Sequence, residues 1–261
     1  MEHRYSIVAR EGHVTIVTLN RPERMNALDH EAHREFAGVF DDFEADPDQW
    51  VAIVTGQGER AFCAGKDLKA TAASGYNLNE RVESGFAGLT HRLGRNKPVI
   101  AAVNGIALGG GFELALACDL IIAAENAVFA LPEPRVGLAA LGGGLLRLPR
   151  QIGEKQALGI ILTGRHVSAQ EGQALGFVNE VVAPGQALDA ARRWAAQICE
   201  ASPMAIRAAK EVVRLSDDRP LAQALEDSLR SPAVLAMLAS EDVKEGPRAF
   251  AEKRKPKWKG T

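Results

Sequence analysis

The sequence predicts an α/β fold with a helical C-terminal region, and three observations lead to it. Short apolar strand segments alternate with helical segments over residues 1–201, which is typical of α/β proteins with parallel strands. Glycine-rich turns stand at two places in this region. From residue 202 onward no strand pattern is left. We therefore expect an α/β core over residues 1–201 that carries the functional site, and a helical region over residues 202–261.

The first elements follow from β-branched and apolar spacing. His13–Asn20 is a β-branched run that predicts a strand. Asp29 then offers a helix N-cap. The next apolar side chains recur with the period of a helix and define one buried face: Phe36, Val39, Phe40 and Phe43. Asp46-Pro47 is expected to end this helix.

The same alternation recurs further along. Val51–Thr55 and Pro98–Asn104 read as buried strands, and Ala127–Leu131 as another short strand. Between them, residues 111–124 (GFELALACDLIIAA) are apolar on nearly every side, which predicts a centrally buried helix. The three glycines at 142–144 are expected to form a flexible spot.

The C-terminal region reads as helices separated by prolines. The predicted helices are Ala205–Leu215, Leu221–Leu229 and Ala233–Leu238, with breaks at Pro203, Pro220 and Pro232. Periodicity does not decide whether they pack on the same chain or on another subunit.

Composition excludes some classes of protein. The net charge is -2, whereas a nucleic-acid-binding protein normally presents a basic surface. Residues 244–261 hold seven basic and two acidic side chains, a pattern that a solvated tail would also explain. Three separated cysteines form neither a disulfide framework nor a metal motif. With a polar N-terminus and no long uncharged apolar stretch, we expect a cytoplasmic protein that has no membrane segment.

Two glycine-rich turns carry the first chemical signal, at residues 61–69 (AFCAGKDLK) and 104–113 (NGIALGGGFE). Gly109, Gly110 and Gly111 precede an apolar helix, so their amides would lie at a helix N-terminus that favours a phosphate or a developing oxyanion. A tight strand-to-helix crossing is the structural alternative. Neither GxGxxG nor GK[ST] is present, which argues against a nucleotide-binding loop.

Two glutamates carry the second signal. Glu113 lies in the first turn of the apolar helix, and Glu133 lies between Pro132 and Pro134 after a strand. Helix-dipole stabilisation alone would explain the first, and a solvated loop the second. Two carboxylates that follow successive buried strands more strongly indicate acid–base chemistry. The six histidines are scattered, and His30 and His33 are expected on a helix surface.

Taken together, these segments resemble the enoyl-CoA hydratase (crotonase) superfamily over nearly the whole chain. The matching segments are residues 20–29 (NRPERMNALD), 61–69, 97–120, 129–138 (FALPEPRVGL) and 163–182. Residues 145–153 (LLRLPRQIG) and 240–260 are most similar to the carnitinyl-CoA dehydratase branch. The resemblance implies a spiral of strand–strand–helix units that ends in a helical trimerisation region.

The resemblance also implies roles. The amides of Lys66 and Gly110 would form the oxyanion hole, and Glu113 and Glu133 would be the two hydratase glutamates that add water to a 2-enoyl-CoA thioester. No metal and no cofactor are implied, because coenzyme A (CoA) is part of the substrate. Contacts to CoA fall on two loops and on the C-terminal end of a neighbouring subunit: Arg24, Ala27, Leu28, Ala64, Gly65, Asp67, Leu68, Lys69, Gly109, Phe250 and Lys253.

Two departures bear on the substrate. The carnitine branch has an aromatic residue where this chain has Lys66, and an acid where it has Leu141. Both changes remove features that a quaternary ammonium substrate would favour. Residues 70–90 and 138–144 are expected to shape the acyl pocket.

Other activities of the superfamily keep the oxyanion amides and change the acid–base residues. They include an enoyl-CoA isomerase, a dehalogenase and a thioester hydrolase, while a different class of relative binds RNA. The pair Glu113 and Glu133 favours the hydratase or dehydratase. The expected partners are an acyl-CoA substrate, neither nucleic acid nor membrane, and further copies of the chain in a homotrimer or a dimer of trimers.

Overall fold

The computed structural model describes residues 3–69, 72, 82–217 and 219–261, and its strands form two sheets in this part of the chain. The strands are β1 Ser6–Glu11, β2 Val14–Leu19, β3 Val51–Gly56, β4 Ala61–Cys63, β5 Val99–Val103, β6 Ile106–Leu108, β7 Leu120–Ala124, β8 Val128–Ala130, β9 Val167–Ser168 and β10 Glu180–Val182.

Successive strands alternate between the two sheets. The larger sheet has the order β1-β2-β3-β5-β7-β10, and the smaller has the order β4-β6-β8-β9. Each of the pairs β3–β4, β5–β6 and β7–β8 therefore sends its first strand to the larger sheet and its second to the smaller one. Neighbours are parallel except for the β1–β2 hairpin and the β8–β9 pair. This is the predicted α/β spiral of strand–strand–helix units.

The helices are α1 His30–Ala45, α2 Gly110–Ala117, α3 Gly144–Ile152, α4 Glu154–Thr163, α5 Ala169–Leu175, α6 Ala187–Cys199, α7 Pro203–Ser216, α8 Leu221–Ser228, α9 Pro232–Ala239 and α10 Asp242–Ala251. The sequence places α1 correctly, since Asp29 caps it by accepting from the Ala32 amide. The predicted face of α1 is fully buried. Lys97 holds its other end by donating to the carbonyls of Phe43 and Asp46 at 2.7 and 2.6 Å.

The larger sheet is buried on both faces, which explains why its central strands read as continuous apolar runs. One face packs against the smaller sheet, α1 and α2, with Val54 and Ala101 pointing into that core. The other face, with Ile53 and Ile100, packs against the alanine-rich α6. The prediction of a single helix over residues 111–124 is wrong. The helix ends at Ala117, and Leu120–Ala124 is strand β7. The sequence pattern did not separate the two, because both are almost entirely buried and share an apolar composition.

The C-terminal helices agree with the proline breaks, but α10 was not predicted. Pro247 lies inside α10, and the basic composition of the segment hid its apolar spacing. Residues 252–261 are not a solvated tail. Asp242 accepts from the Lys259 and Gly260 amides, and buried Glu245 pairs with Arg254 at 2.6 Å, which folds the end of the chain back onto α10.

We expect Gly111→Ala to destabilise the protein by about 1–3 kcal/mol, because an added Cβ would overlap the Cys63 carbonyl oxygen, a backbone atom that cannot rotate away. Gly38→Ala is the matched control. Gly38 lies within α1 with open space around its Cα, so this change should stabilise by up to about 1 kcal/mol. Urea unfolding measures both. Equal stability of the two variants would contradict the close approach of α2 to β4.

Candidate active site

The glycine turn between β6 and α2 forms the centre of the site. Gly109 has φ +52° and ψ −123°, a conformation that side chains rarely adopt, and its amide donates to the Ala130 carbonyl at 2.9 Å. A Cβ built on Gly109 would lie 2.8 Å from Glu133 Oε1. The turn therefore directs the first amides of α2, which have no acceptors within the helix, towards the space beside the Glu133 carboxyl group.

The loop after β4 lies directly against this turn. Gly65 has φ +93°, and a Cβ built on it would lie 3.1 Å from the Gly110 nitrogen. Lys66 forms a parallel bridge with Leu28, in which the Leu28 amide donates to Gly65 and the Asp67 amide donates to Leu28. In such a bridge the amide of Lys66 itself points away from Leu28. The structure thus brings the backbone of Lys66 next to that of Gly110.

Arg21 clamps the two loops that meet at this bridge. Its guanidinium lies 3.2 Å from Asp29 and 3.3 Å from Asp67, and it donates to the Ala27 carbonyl at 2.8 Å. The Arg21 side chain is largely buried, so the paired charges are shielded from solvent. Arg21 entered the sequence analysis only as a member of residues 20–29 and was given no role of its own. Its place inside the segment NRPERMNALD was the available signal.

Glu113 is buried beneath the second glycine triplet. It accepts a hydrogen bond from the Gly144 amide at 2.9 Å, and a Cβ on Gly142 would overlap its Oε2. The glycines predicted as a flexible spot thus have a packing role, since Gly143 and Gly144 begin α3 and Gly142 and Gly144 lie against the Glu113 carboxyl group. The pKa of Glu113 is raised to about 7, mainly by burial and also by the nearby charge of Glu133, whereas the Gly144 hydrogen bond acts to lower it.

Glu133 opens a 3₁₀ turn, Glu133–Val136, directly after β8. Its Oε2 is sealed from solvent and has no hydrogen-bond partner in the described part of the chain. Burial raises the pKa of this carboxyl group also. A buried, unpartnered carboxyl oxygen costs free energy of folding. That cost marks Glu133 as a side chain held for a ligand rather than for stability.

Phe86 and His33 complete the wall next to Gly110. Phe86 lies within residues 70–90, which were expected from the sequence to shape the acyl pocket, whereas the role of His33 was missed. A Cβ on Gly110 would lie 2.5 Å from Phe86 Cε2, so the ring covers this glycine. The His33 ring centre lies 4.6 Å from that of Phe86, and His33 Nδ1 accepts from the Ala87 amide at 3.2 Å. His33 is half-buried, whereas the sequence placed it on a helix surface. The spacing of apolar residues in α1 identifies its buried face, but it does not show that a distant segment covers the His33 side chain.

The predicted CoA-binding residues form two adjoining segments. Ala27 and Leu28 are buried beside Gly65, the Ala64 amide donates to the Met25 carbonyl, and Arg24 ends the 3₁₀ turn Pro22–Arg24. Asp67 is buried, and Leu68 and Lys69 are exposed at the rim. Much of the predicted acyl-pocket segment, residues 70–71 and 73–81, lies outside the described residues.

Two predicted residues lie on the C-terminal part of the chain. Phe250 on α10 is 87% exposed, and Lys253 follows the helix in a left-handed conformation with φ +52°. α10 packs mainly against α9, away from the glycine turns. Within one chain, therefore, these two side chains are not brought to the loops at 20–28 and 64–69.

The described residues contain neither a candidate membrane span nor a candidate metal site. None of their helices is long and apolar enough to cross a bilayer. They also contain no cluster of three or more His, Cys, Asp or Glu side chains arranged to hold a metal ion.

Comparisons with known proteins agree with this geometry. The sequence profile described as "Enoyl-CoA hydratase/isomerase" matches residues 9–261. The carnitinyl-CoA dehydratase of Proteus mirabilis is 46% identical over 95% of this chain and 96% of its own length.

Solved structures share the fold. An enoyl-CoA hydratase from Mycobacterium tuberculosis superimposes with a TM-score of 0.91 at 42% identity, covering 98% of this chain and 99% of its own. A carnitinyl-CoA hydratase from Mycobacterium avium superimposes with a TM-score of 0.77 at 41% identity, covering 99% of this chain and all of its own.

The Glu113 carboxyl group should titrate near pH 7, and its pKa should fall in a Glu133→Gln variant, which removes a neighbouring charge. Carbon-13 NMR of labelled glutamate side chains measures this directly. Glu171 is an internal control, because its hydrogen bond with Arg165 lowers its pKa below the usual value. A Glu113 resonance that titrates at an ordinary glutamate pKa would contradict the buried site.

Proposed function

The chain belongs to the enoyl-CoA hydratase/isomerase family, and from that premise we propose that it catalyses the reversible addition of water to a 2-enoyl-CoA thioester, as a hydro-lyase. The observation that carries the proposal is the proximity of two carboxyl groups of raised pKa. Glu133 lies against the glycine turn at Gly109, and its charge acts on Glu113, which is buried and held by the Gly144 amide. An acyl-CoA thioester is the substrate class common to the family.

The backbone supplies the first part of the mechanism. Addition of water at Cβ pushes electron density onto the thioester oxygen, which therefore gains negative charge. The amides of Lys66 and Gly110 would donate to that oxygen, aided by the positive N-terminal end of α2. In comparable oxyanion holes the loss of one donor costs about 3–4 kcal/mol of transition-state stabilisation. In this role the Lys66 side chain is not used.

The two glutamates supply the second part. One carboxylate accepts a proton from the water as its oxygen bonds to Cβ, and the other carboxyl group, protonated, delivers a proton to Cα. A carboxyl group with a pKa near 7 serves both as acid and as base at neutral pH, whereas an ordinary glutamate is a poor proton donor there. Burial of both groups thus supports the acid–base roles. The same pair favours hydration over isomerisation, dehalogenation or thioester hydrolysis, which use other acid–base residues.

The acyl group is the point at which two candidates differ. The 46% identity to a carnitinyl-CoA dehydratase supports crotonobetainyl-CoA hydration as the second candidate. The Lys66 ammonium argues against it, because its charge reaches the wall beside Gly110 and lowers the pKa of His33 there. A quaternary ammonium would be repelled by such a cation. We therefore propose an acyl group that is not cationic.

Two further parts of the proposal concern the setting. Buried free thiols at Cys63 and Cys118 are in keeping with a reducing cytoplasm.

A homotrimer or a dimer of trimers would bury apolar side chains that one chain leaves exposed on its C-terminal helices. These side chains are Leu221, Leu225, Leu229, Leu235, Leu238 and Phe250. In that assembly Phe250 and Lys253 would complete the CoA site of a neighbour, and a lysine suits the phosphates of CoA.

Purified protein should remove the conjugated-thioester absorbance of crotonyl-CoA or a longer neutral analogue. Glu133→Gln and Glu113→Gln should each lower kcat by at least about a hundredfold while CoA binding is kept, because glutamine preserves shape but carries no transferable proton. The double variant should be little slower than either single one, since both groups act on one water.

The controls separate the other classes of function. Binding of CoA without any hydration would refute the hydratase, and binding of RNA in preference to CoA, weakened by salt, would favour the RNA-binding class. Turnover of crotonobetainyl-CoA at a higher kcat/KM than crotonyl-CoA would favour the second candidate.

Light scattering at micromolar concentration should give three or six times the mass of one chain. Phe250→Asp should lower that mass or weaken CoA binding without unfolding the protomer, because this ring is 87% exposed in a single chain. Lys69→Ala is the comparison within the chain, since it should weaken CoA binding with no change of mass. A monomeric wild-type protein would refute the assembly.

A further inference from the structure

His33 carries a donor that the proposed reaction does not use. Its Nδ1 accepts from the Ala87 amide at 3.2 Å, and an accepting nitrogen bears no proton. Burial lowers the pKa of His33 to about 4, so the ring is neutral at ordinary pH. The single ring proton therefore resides on Nε2.

The Nε2–H group reaches accessible space. Within the described residues it has no hydrogen-bond partner, and it is not one of the side-chain polar atoms sealed from solvent without a partner. His33 thus presents a fixed donor at a surface that a ligand can touch. Buried donors of this kind are normally satisfied by protein, water or ligand.

That surface adjoins the reacting centre. The His33 ring packs on Phe86 at 4.6 Å, and the Phe86 ring covers the Cα of Gly110, whose amide is the proposed oxyanion donor. The charge of Lys66, the residue of the other donor amide, is felt at His33. A chain attached to a carbonyl held by these two amides therefore meets Phe86 and His33 on the Gly110 side, whereas Glu133 covers Gly109.

Resting on the hydratase function proposed above, we propose that His33 determines acyl specificity by donating its Nε2–H to an oxygen atom on the acyl chain beyond the double bond. The favoured substrate class is a 2-enoyl-CoA whose acyl chain carries an oxygen acceptor, and best a carboxylate, because the exposed Lys66 side chain starts beside Gly110 and its positive charge acts on the His33 ring. This makes the pocket selective for polar or anionic acyl groups rather than for plain hydrocarbon.

A purely structural role for His33 makes a different prediction. Ala87 adopts a left-handed conformation, φ 49° and ψ 30°, which is strained for a residue with a side chain. The hydrogen bond from the Ala87 amide to His33 Nδ1 stabilises that turn and so positions Phe86. In this role Nδ1 alone matters, and the acyl chain is not recognised.

Two isosteric variants separate the roles. In His33→Asn the amide oxygen replaces the Nδ1 acceptor, and the Nε2 donor is lost. In His33→Gln the amide nitrogen replaces the Nε2 donor, and the Nδ1 acceptor is lost. His30→Asn, one turn earlier on the same helix, is the matched control. The readout is the ratio of kcat/KM for 2-hexenedioyl-CoA, which has a terminal carboxylate, to that for 2-hexenoyl-CoA.

The proposal expects wild type to favour the carboxylate substrate, His33→Asn to lose that preference by about tenfold, and His33→Gln and His30→Asn to retain it. The proposal is overturned if wild type shows no preference, if His33→Asn lowers kcat/KM for both substrates by the same factor, or if His30→Asn loses the preference too. Absence of hydration for every thioester would instead overturn the proposed function itself, so the two failures are distinguishable.

Discussion

The close approach of α2 to the loop after β4 is the constraint on which the site depends. Gly111 lies so near the Cys63 carbonyl that no side chain fits between them, and a Cβ on Gly65 would lie 2.7 Å from the Leu108 carbonyl oxygen and 3.1 Å from the Gly110 nitrogen. Because β4 and β6 are parallel neighbours in the smaller sheet, both loops leave the sheet at the same edge. The sheet therefore fixes the distance between two backbone amides, and the Arg21 clamp holds the outer loop against the inner one. Catalytic geometry in this protein is a property of backbone packing more than of side chains.

Burial of the Glu113 and Glu133 carboxyl groups lowers the stability of the fold at neutral pH and raises their pKa values, which suits them to proton transfer. With a folded-state pKa near 7 against an ordinary value of 4.5, Glu113 binds its proton more tightly in the folded state than in the unfolded one. Its contribution to stability is therefore present at acidic pH and is lost as the pH rises through about 7. The Gly144 amide offsets part of this cost, whereas Glu133 Oε2 has no such partner in the described residues. The glycines at 142–144 are needed because any side chain at Gly142 would occupy the space of the carboxyl group.

The sequence predicted what depends on local chemistry. The Asp29 cap and the apolar face of α1 follow from residue types and spacing, and the structure confirms both. The glycine turn does begin α2, and Glu113 and Glu133 do have raised pKa values, while their roles in the reaction stay predictions. Prediction from sequence failed where a segment is buried on all sides and so shows no alternation of polar and apolar residues. For this reason α2 and β7 were predicted as one apolar helix. Prediction from sequence also missed the roles of His33 and Arg21. His33 accepts from an amide 54 positions away, and Arg21 joins its near neighbours Ala27 and Asp29 to Asp67, which is 46 positions away. By sequence alone both look like ordinary surface residues. The fold places His33 against the Phe86 ring and the Ala87 turn, and places Arg21 between two carboxylates.

The charge beside the oxyanion turn bears on substrate choice more directly than overall identity does. A carnitinyl-CoA hydratase that shares 41% of residues superimposes over 99% of this chain, because the core that fixes the two sheets is spread over most of the sequence. Acyl recognition, by contrast, depends on a few side chains next to Gly110. The wall there consists of a neutral donor, His33, and an aromatic ring, Phe86, with the Lys66 ammonium near enough to affect the imidazole. An ammonium and a quaternary ammonium repel each other, and burial strengthens that repulsion. A change of one residue at this wall can therefore redirect the substrate while leaving the fold and the acid–base pair as they are.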